Sequence, residues 1–477
     1  MAMGRRKRER QGELFIATQD LCQPKGHIFY DKLNRVLAEE NFDAFVEAAC
    51  VSYYKEAGPG RPSIPPGTYF RMLFIGYFEC IDSQRGIAWR CYDSLSLRAF
   101  LGMTLSEQTP DHSTLSTTRE RLPYEVHEKV FQFTLKMAGV KKLLGGKTVG
   151  VDSTYLEANA AMKSIVRKDT GEDYQAFLKR LAQAEGLENP TAEDLQRFDR
   201  NRKGKKCSNE EWRSKTDSDS EIMKMKDGRT HLAYKAEHVV DLKSTMVLAA
   251  EITPATHGDA ETIVDSLISA QVQLDSAATL TPEPASRRQS TQLAEAEARL
   301  GAGEQIKEAA ADKGYHKAST LELMTGLGYR SYIPERKSKH KARWTDKPAG
   351  HKQAVYANRR RVARNKSKQL QRERSEKVER TFAHVCETGG ARRTWLRGLA
   401  KVRKRYLIQV AGHNLGVLMR KLFGIGKPRC LQGAPKGALA RWIIAISGLW
   451  AIGWALTSRW RQKGVTFLRP RESNRAV

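Results

Sequence analysis

The chain has 477 residues, 40% of them hydrophobic and 29% charged, a balance that excludes a disordered or fibrous protein and allows two or three domains. Its 82 Lys and Arg against 54 Asp and Glu give a formal charge of +28, which points to a polyanionic partner, with nucleic acid ahead of an anionic membrane surface. Seven cysteines without a CxxC pair argue against a disulfide framework or a structural zinc site and for a reducing compartment. The start is basic with no apolar run behind it, so no signal peptide is expected and the reading is cytoplasmic.

Residues 1–145 read as helical. "PPGTYFRMLFIGYFECI" places Pro65 and Pro66 where a helix start tolerates them, and its apolar run is too continuous for a surface helix. "TPDHSTLSTTRERLP" offers Asp111 or Ser113 as N-cap, Leu115 and Leu122 on one face, Thr114, Thr117 and Arg121 elsewhere, and Pro123 as a stop. That is the size and polarity of a DNA-recognition helix, and equally of an ordinary amphipathic one.

From residue 146 the pattern changes to strands. In "GGKTVGVDSTYLEANA" alternation sends Val149, Val151 and Tyr155 to one face and Gly150, Asp152 and Thr154 to the other. A polar, helix-rich insertion is expected over about 160–228. "HLAYKAEHVVD" and "MVLAAEIT", separated by a short turn, read as two antiparallel strands. A helix over 258–273 follows, with Asp259 as its N-cap, and then a linker over 275–298. The apolar "IKEAAAD" and "RSYIPE" are two further strands. "LLGGKT" lacks the first glycine of a phosphate loop and reads as a turn. Between Arg336 and Arg380 stand 17 Lys or Arg against four acids. The run "WIIAISGLWAIGWAL" (Trp442–Leu456) is too short for a typical spanning helix and reads as a buried or docking helix, with a membrane anchor as the alternative.

Three acids stand out by context. Asp152 lies within the first strand, Asp312 follows the strand "IKEAAAD", and Glu379 borders the helical stripe Val378, Phe382 and Val385. They are far apart in sequence, so they converge in three dimensions or not at all. Converging carboxylates repel one another, and a divalent cation is the usual remedy. Oxygen-only ligation suits magnesium or manganese, and two such ions can drive an in-line phosphoryl displacement.

"VGVDSTYLEAN", "AADKGYH" and "VERTFAHVCETGGARRTWLRGL", in this order, resemble the DDE transposases of bacterial insertion sequences, and the segment from "SIPPGTYF" to "STTRERL" resembles the helical N-terminal domain of one large group of them. The resemblance runs from about residue 60 to about residue 420. It implies a mixed α/β fold: a ribonuclease H-like catalytic core, with a mixed sheet flanked by helices, preceded by an all-helical N-terminal domain. It implies the division 1–145 (helical, DNA-binding), 146–425 (catalytic, carrying the insertion) and 426–477 (apolar helix and basic tail). By this likeness Asp152, Asp312 and Glu379 are the catalytic and metal-holding acids around two Mg2+ or Mn2+ ions, and Gly150 leaves room beside them. Many relatives carry Tyr-x2-Arg-x3-Glu-x6-Lys around the third acid. Aligned on Glu379, this chain has Arg372, Ser375 and Cys386 at those positions; aligned on Glu376, a rival for the role, it keeps only Arg372. Thr114, Thr117, Arg121, Lys313, Tyr315, Arg380 and Arg397 are the DNA-contact candidates. The implied partners are double-stranded DNA, both element ends and target, and further copies of the chain when DNA is bound, with no membrane. A non-catalytic DNA-binding derivative and a ribonuclease H-like nuclease without joining activity are the alternatives.

Overall fold

Helix formation at the N-terminal end follows the apolar pattern and the caps. In the computed structural model, which describes residues 26–54, 63–203, 207–225, 227–280, 305–337, 344–345 and 347–431, seven helices open the described part. They are α1 (Ile28–Glu39), α2 (Phe42–Cys50), α3 (Pro66–Glu79), α4 (Gln84–Asp93), α5 (Leu95–Phe100), α6 (His112–Arg121) and α7 (Tyr124–Val140). Helix α3 starts on Pro66, where a missing N–H costs nothing, and is buried from Gly67 to Phe78 with Leu73 as the one less covered position. Within it Arg71 is buried and pairs with Asp43 of α2 at 2.7 Å. Helix α6 is capped by Asp111, whose carboxylate accepts the Ser113 amide, and its chain direction changes at Pro123. The basic opening "GRRKRER", most of the 275–298 linker and the run Trp442–Leu456 lie outside the described residues.

The strands then follow in the expected order. β1 (Thr148–Glu157) leads into a segment with β2 (Ile165–Arg167), α8 (Tyr174–Ala184), α9 (Ala192–Asn201) and β3 (Trp212–Ser214), in which β2 and β3 form a separate two-stranded sheet. β4 (Glu221–Lys224), β5 (Thr230–Asp241), β6 (Val247–Pro254), α10 (Asp259–Thr279), β7 (Glu308–Ala310), α11 (Ala318–Gly326) and β8 (Arg330–Tyr332) come next. The described part closes with α12 (Ala349–Val362), α13 (Asn365–Phe382) and the long, mostly buried α14 (Leu399–Phe423).

β5 pairs antiparallel with β1 on one edge and with β6 on the other, where β4 extends the same edge; β1 pairs parallel with β7, and β7 parallel with β8. The order β6-β5-β1-β7-β8, with three antiparallel strands first and two parallel ones added, is that of a ribonuclease H-like sheet. β1 is therefore central, which explains the apolar Val149 and Val151. Helix α10 covers one face and α13 the other. Ser153, Lys235 and Glu237 point to α10, whereas Gly150, Asp152 and His238 point to α13. On the β6 side, Asn414 of α14 accepts from the Val247 amide and donates to its carbonyl, both at 2.9 Å, so a side chain stands in for a neighbouring strand.

Helices α3 and α7 pack on α14, and α7 also packs on α10, so the N-terminal helices lie directly against those that cover the sheet. The helix expected over 258–273 is longer, and its N-cap is Gly258. Asp259 is its first residue, and its carboxylate is directed instead at Lys235 and Ser153.

Candidate active site

The parallel register of β1 and β7 decides what lies next to β1 just past the end of β7. Thr148 lies beside Glu308 and Gly150 beside Ala310. Two residues beyond that last pair come Asp152, still within β1, and Asp312, near enough for its charge to act on the Asp152 carboxyl. β7 has ended by then. Asp312 turns the chain, its Oδ1 accepting the Gly314 amide at 2.7 Å at the head of the 3-10 turn Lys313–Tyr315. Burial pushes the Asp152 carboxyl above the usual carboxylate range and the nearby Asp312 adds to the rise, against the pull of Arg374 and the Ser153 amide.

On the α13 face the stripe Val378, Phe382 and Val385 is buried as expected, with the Phe382 ring stacked on His238. One turn before Val378 on the same side comes Arg374, a residue the sequence reading passed over. Its Nη1 lies 2.7 Å from Asp152 Oδ2. Gly150 makes this approach possible, because a Cβ there would stand 2.9 Å from Val378 Cγ2 and 3.1 Å from Arg374 Cγ. The space expected beside the acids is thus filled by the stems of these two side chains. The signal lay in the i, i+4, i+8 spacing of Arg374, Val378 and Phe382, which carries the buried stripe one turn further back.

Glu379 is exposed on α13, and its Oε1 accepts the Ser375 hydroxyl at 2.8 Å. Glu376 is exposed as well and pairs with Arg380 at 2.7 Å. Among the described residues, no group of three or more His, Cys, Asp or Glu side chains stands in an arrangement that could hold a metal ion. The aspartates alone fit such an ion in chemistry: two neighbouring oxygen donors, one of them made costly to ionise by burial, gain most from a hard divalent cation.

On the α10 face a buried polar network backs both aspartates. Lys235, fully buried, lies 2.8 Å from Asp259 Oδ1, which also accepts the Ser153 hydroxyl at 2.9 Å. Glu237 accepts from Thr262 at 2.9 Å and from Tyr315 at 2.8 Å, and Ser266 also donates to it. Ser153 follows Asp152 and Tyr315 lies three residues beyond Asp312, so the network grips the chain next to each acid. Tyr315, expected at DNA, is only 1% exposed, and its hydroxyl donates to the buried Glu237 rather than facing the surface. Lys235 and Glu237 were visible in sequence as charged residues at alternate positions of a strand that is otherwise apolar.

The other DNA-contact candidates lie at the surface. Thr117, Arg121, Lys313, Arg380 and Arg397 are exposed and Thr114 is half-buried. Arg121 packs its guanidinium over the Tyr54 ring at 4.9 Å. Leu115 and Leu122 are fully buried, so α6 presents its polar side outward. No helix among the described residues is long and apolar enough to cross a membrane.

Two family models match the chain: a transposase domain (DUF772) over residues 18–121 and a transposase DDE domain over residues 335–419. The first covers α1 to α6; the second covers α12, α13 and most of α14, including Glu379, and, beginning after both, includes neither Asp152 nor Asp312. No curated protein and no solved structure matches the chain. The chain thus carries a transposase domain and a transposase DDE domain, in that order on either side of a sheet of ribonuclease H-like topology, and these matches support an insertion-sequence DDE transposase.

Proposed function

We propose that this transposase binds the terminal inverted repeats of its element, cleaves the DNA there, and joins the freed 3′ ends to target DNA. The observation that supports this most is the proximity of two acids distant in sequence, Asp152 within the central strand β1 and Asp312 just past the end of the parallel strand β7, whose charge acts on the Asp152 carboxyl. Asp152 and Asp312, with Glu379 or its neighbour Glu376 as third acid, are the residues to hold Mg2+ or Mn2+. Two such ions when bound supply activation of water and charge neutralisation at the scissile phosphate.

The chain's own groups do the rest. Thr114, Thr117 and Arg121 on the outer side of α6 fit contacts to an element end, and Lys313, Arg380 and Arg397 fit contacts to phosphates near the acids. The formal charge of +28 supports a polyanionic partner. Lys235 and Glu237 hold β1 and the turn after β7 to α10, which keeps the two aspartates near each other. Further copies of the chain are the expected partners on DNA, where two element ends must be brought together.

The test is an Asp152→Asn variant assayed with magnesium on a duplex carrying an element end. It should bind the duplex as the unaltered protein does and leave it uncut. Metal-dependent cutting by this variant defeats the proposal. A second reading, a non-catalytic DNA-binding derivative, is favoured by Arg374 lying on Asp152 and by Glu379 being held to its own helix; binding without cutting by the unaltered protein selects it. Cutting without transfer of the 3′ end to target DNA selects a nuclease.

A further inference from the structure

We infer that Arg374 is an internal counter-ion which occupies the cation position of Asp152 and must be displaced before a divalent ion binds there. The inference rests on the proposed role of Asp152 as a metal-holding acid.

Both Asp152 oxygens are engaged. Oδ1 accepts the Ser153 amide at 2.9 Å, and Oδ2 takes the Arg374 guanidinium at 2.7 Å. The pair is largely sheltered, the arginine side chain 11% and the aspartate 23% exposed. A carboxylate so placed, with Asp312 nearby, is costly without a positive partner. Arg374 supplies that charge.

The arginine is also held in place. Its Nε donates to Gln371 Oε1 at 3.2 Å. Gln371 is itself fastened through its Nε2 to the Ala311 carbonyl at 3.1 Å and to the Tyr332 carbonyl at 2.6 Å. Gly150 lets the arginine stem lie across β1. One tether thus joins α13 to the strand of Asp152 and to the residue just before Asp312. A surface arginine meeting an acid by chance has neither a cut-away strand beneath it nor a side chain anchored to two main-chain carbonyls to aim it.

A guanidinium seated on Oδ2 repels a divalent ion brought to the same carboxylate and takes up the lone pair facing it, so arginine and metal compete. Apparent affinity falls by the fraction of molecules in which the arginine has left the acid. Displacement also frees a guanidinium at the site, with the fork geometry that suits a phosphate.

Calorimetric titration of the full chain with Mn2+ alone, without DNA, tests this. Arg374→Gln should bind Mn2+ about tenfold more tightly than the unaltered protein, for an arginine-free fraction of roughly one tenth. Arg374→Lys should fall between them and Asp152→Asn should lose the binding. Metal-free Arg374→Gln should melt at a lower temperature and recover on Mn2+ addition. If Arg374→Gln does not fold, Gln371→Ala, which loosens the arginine without removing it, should still bind Mn2+ severalfold more tightly. Unchanged or weaker binding by these variants, beside measurable binding by the unaltered protein, overturns the counter-ion role and leaves the metal-holding role of Asp152 standing. Absence of Mn2+ binding in all of them overturns both.

Discussion

Lys235 Nζ lies 2.8 Å from Asp259 Oδ1 and 3.9 Å from Glu237 Oε2, with its own side chain fully buried in the sheet face under α10. Removing the cation leaves Glu237 without it in a nearly sealed interior, where breaking such a pair costs about 3 kcal/mol. Lys235→Met should lower unfolding stability by that amount in urea titrations. Adding Glu237→Gln to Lys235→Met should restore part of the loss, because the uncompensated charge is gone. Additive losses would show that the two residues do not act as a pair.

Gly150 lies under α13, and its missing side chain is a packing requirement. A Cβ there stands 2.9 Å from both Leu242 Cδ2 and Val378 Cγ2. Gly150→Ala should cost about 1–3 kcal/mol through overpacking. It should also loosen the Arg374–Asp152 pair, since Arg374 Cγ is 3.1 Å from the same point. Thermal melts of the variant check the first expectation, and a melt as high as that of the unaltered protein rules it out.

The protein should lose stability in mild acid. His127 is buried, its Nδ1 donating to the Pro123 carbonyl at 2.8 Å and its Nε2 accepting from the Tyr69 hydroxyl at 3.2 Å. Burial holds its pKa down at about 4, against 6.5 unfolded. The unfolded chain takes the proton first, so this stability is present above pH 6.5 and drains away as pH falls toward 4. A shift of that size is worth about 3 kcal/mol in full. His238, buried between Thr381 and Tyr406, is pushed the same way by the same cause. Urea midpoints at pH 7.5, 5.5 and 4.5, compared with those of His127→Gln, measure the contribution; equal slopes in the two proteins exclude it.

Arg121 and Thr117 stand on the outer side of α6, opposite the buried Leu115. Arg121→Ala should weaken binding to an element-end duplex and reduce the salt dependence of log K by about one unit, the loss of one phosphate contact. Thr117→Ala should weaken end-specific binding while leaving binding to unrelated duplex unchanged. Electrophoretic shifts over a salt series read both effects, and no change in either assigns DNA contact to another surface.

Much of the fold could be read directly because its periodicities are local. The alternation in "HLAYKAEHVVD" and "MVLAAEIT" marks the hairpin found as β5 and β6, and the run after Pro66 marks the buried α3. The stripe Val378, Phe382 and Val385 marks the buried side of α13. Asp111 caps α6, and Pro123 ends it, for reasons that lie within a few residues of each. Asp259 was misjudged as a cap because its partners, Lys235 on β5 and Ser153 on β1, belong to other strands. Tyr315 looked like a surface residue next to Lys313 and Gly314, and only the packing of α10 buries it.

Composition, charge and spacing by themselves determined that this is a basic α/β protein with strands in a set order and acids at particular strand and helix positions, since those properties depend on near neighbours along the chain. Which side chain faces Asp152 was decided by the tertiary structure alone. The level of β1 against β7, the rotation of α13 and the missing Cβ of Gly150 together bring Arg374, and not Glu379, onto its carboxylate. Such contacts form between residues hundreds of positions apart, where side-chain reach and packing, rather than sequence pattern, choose the partner.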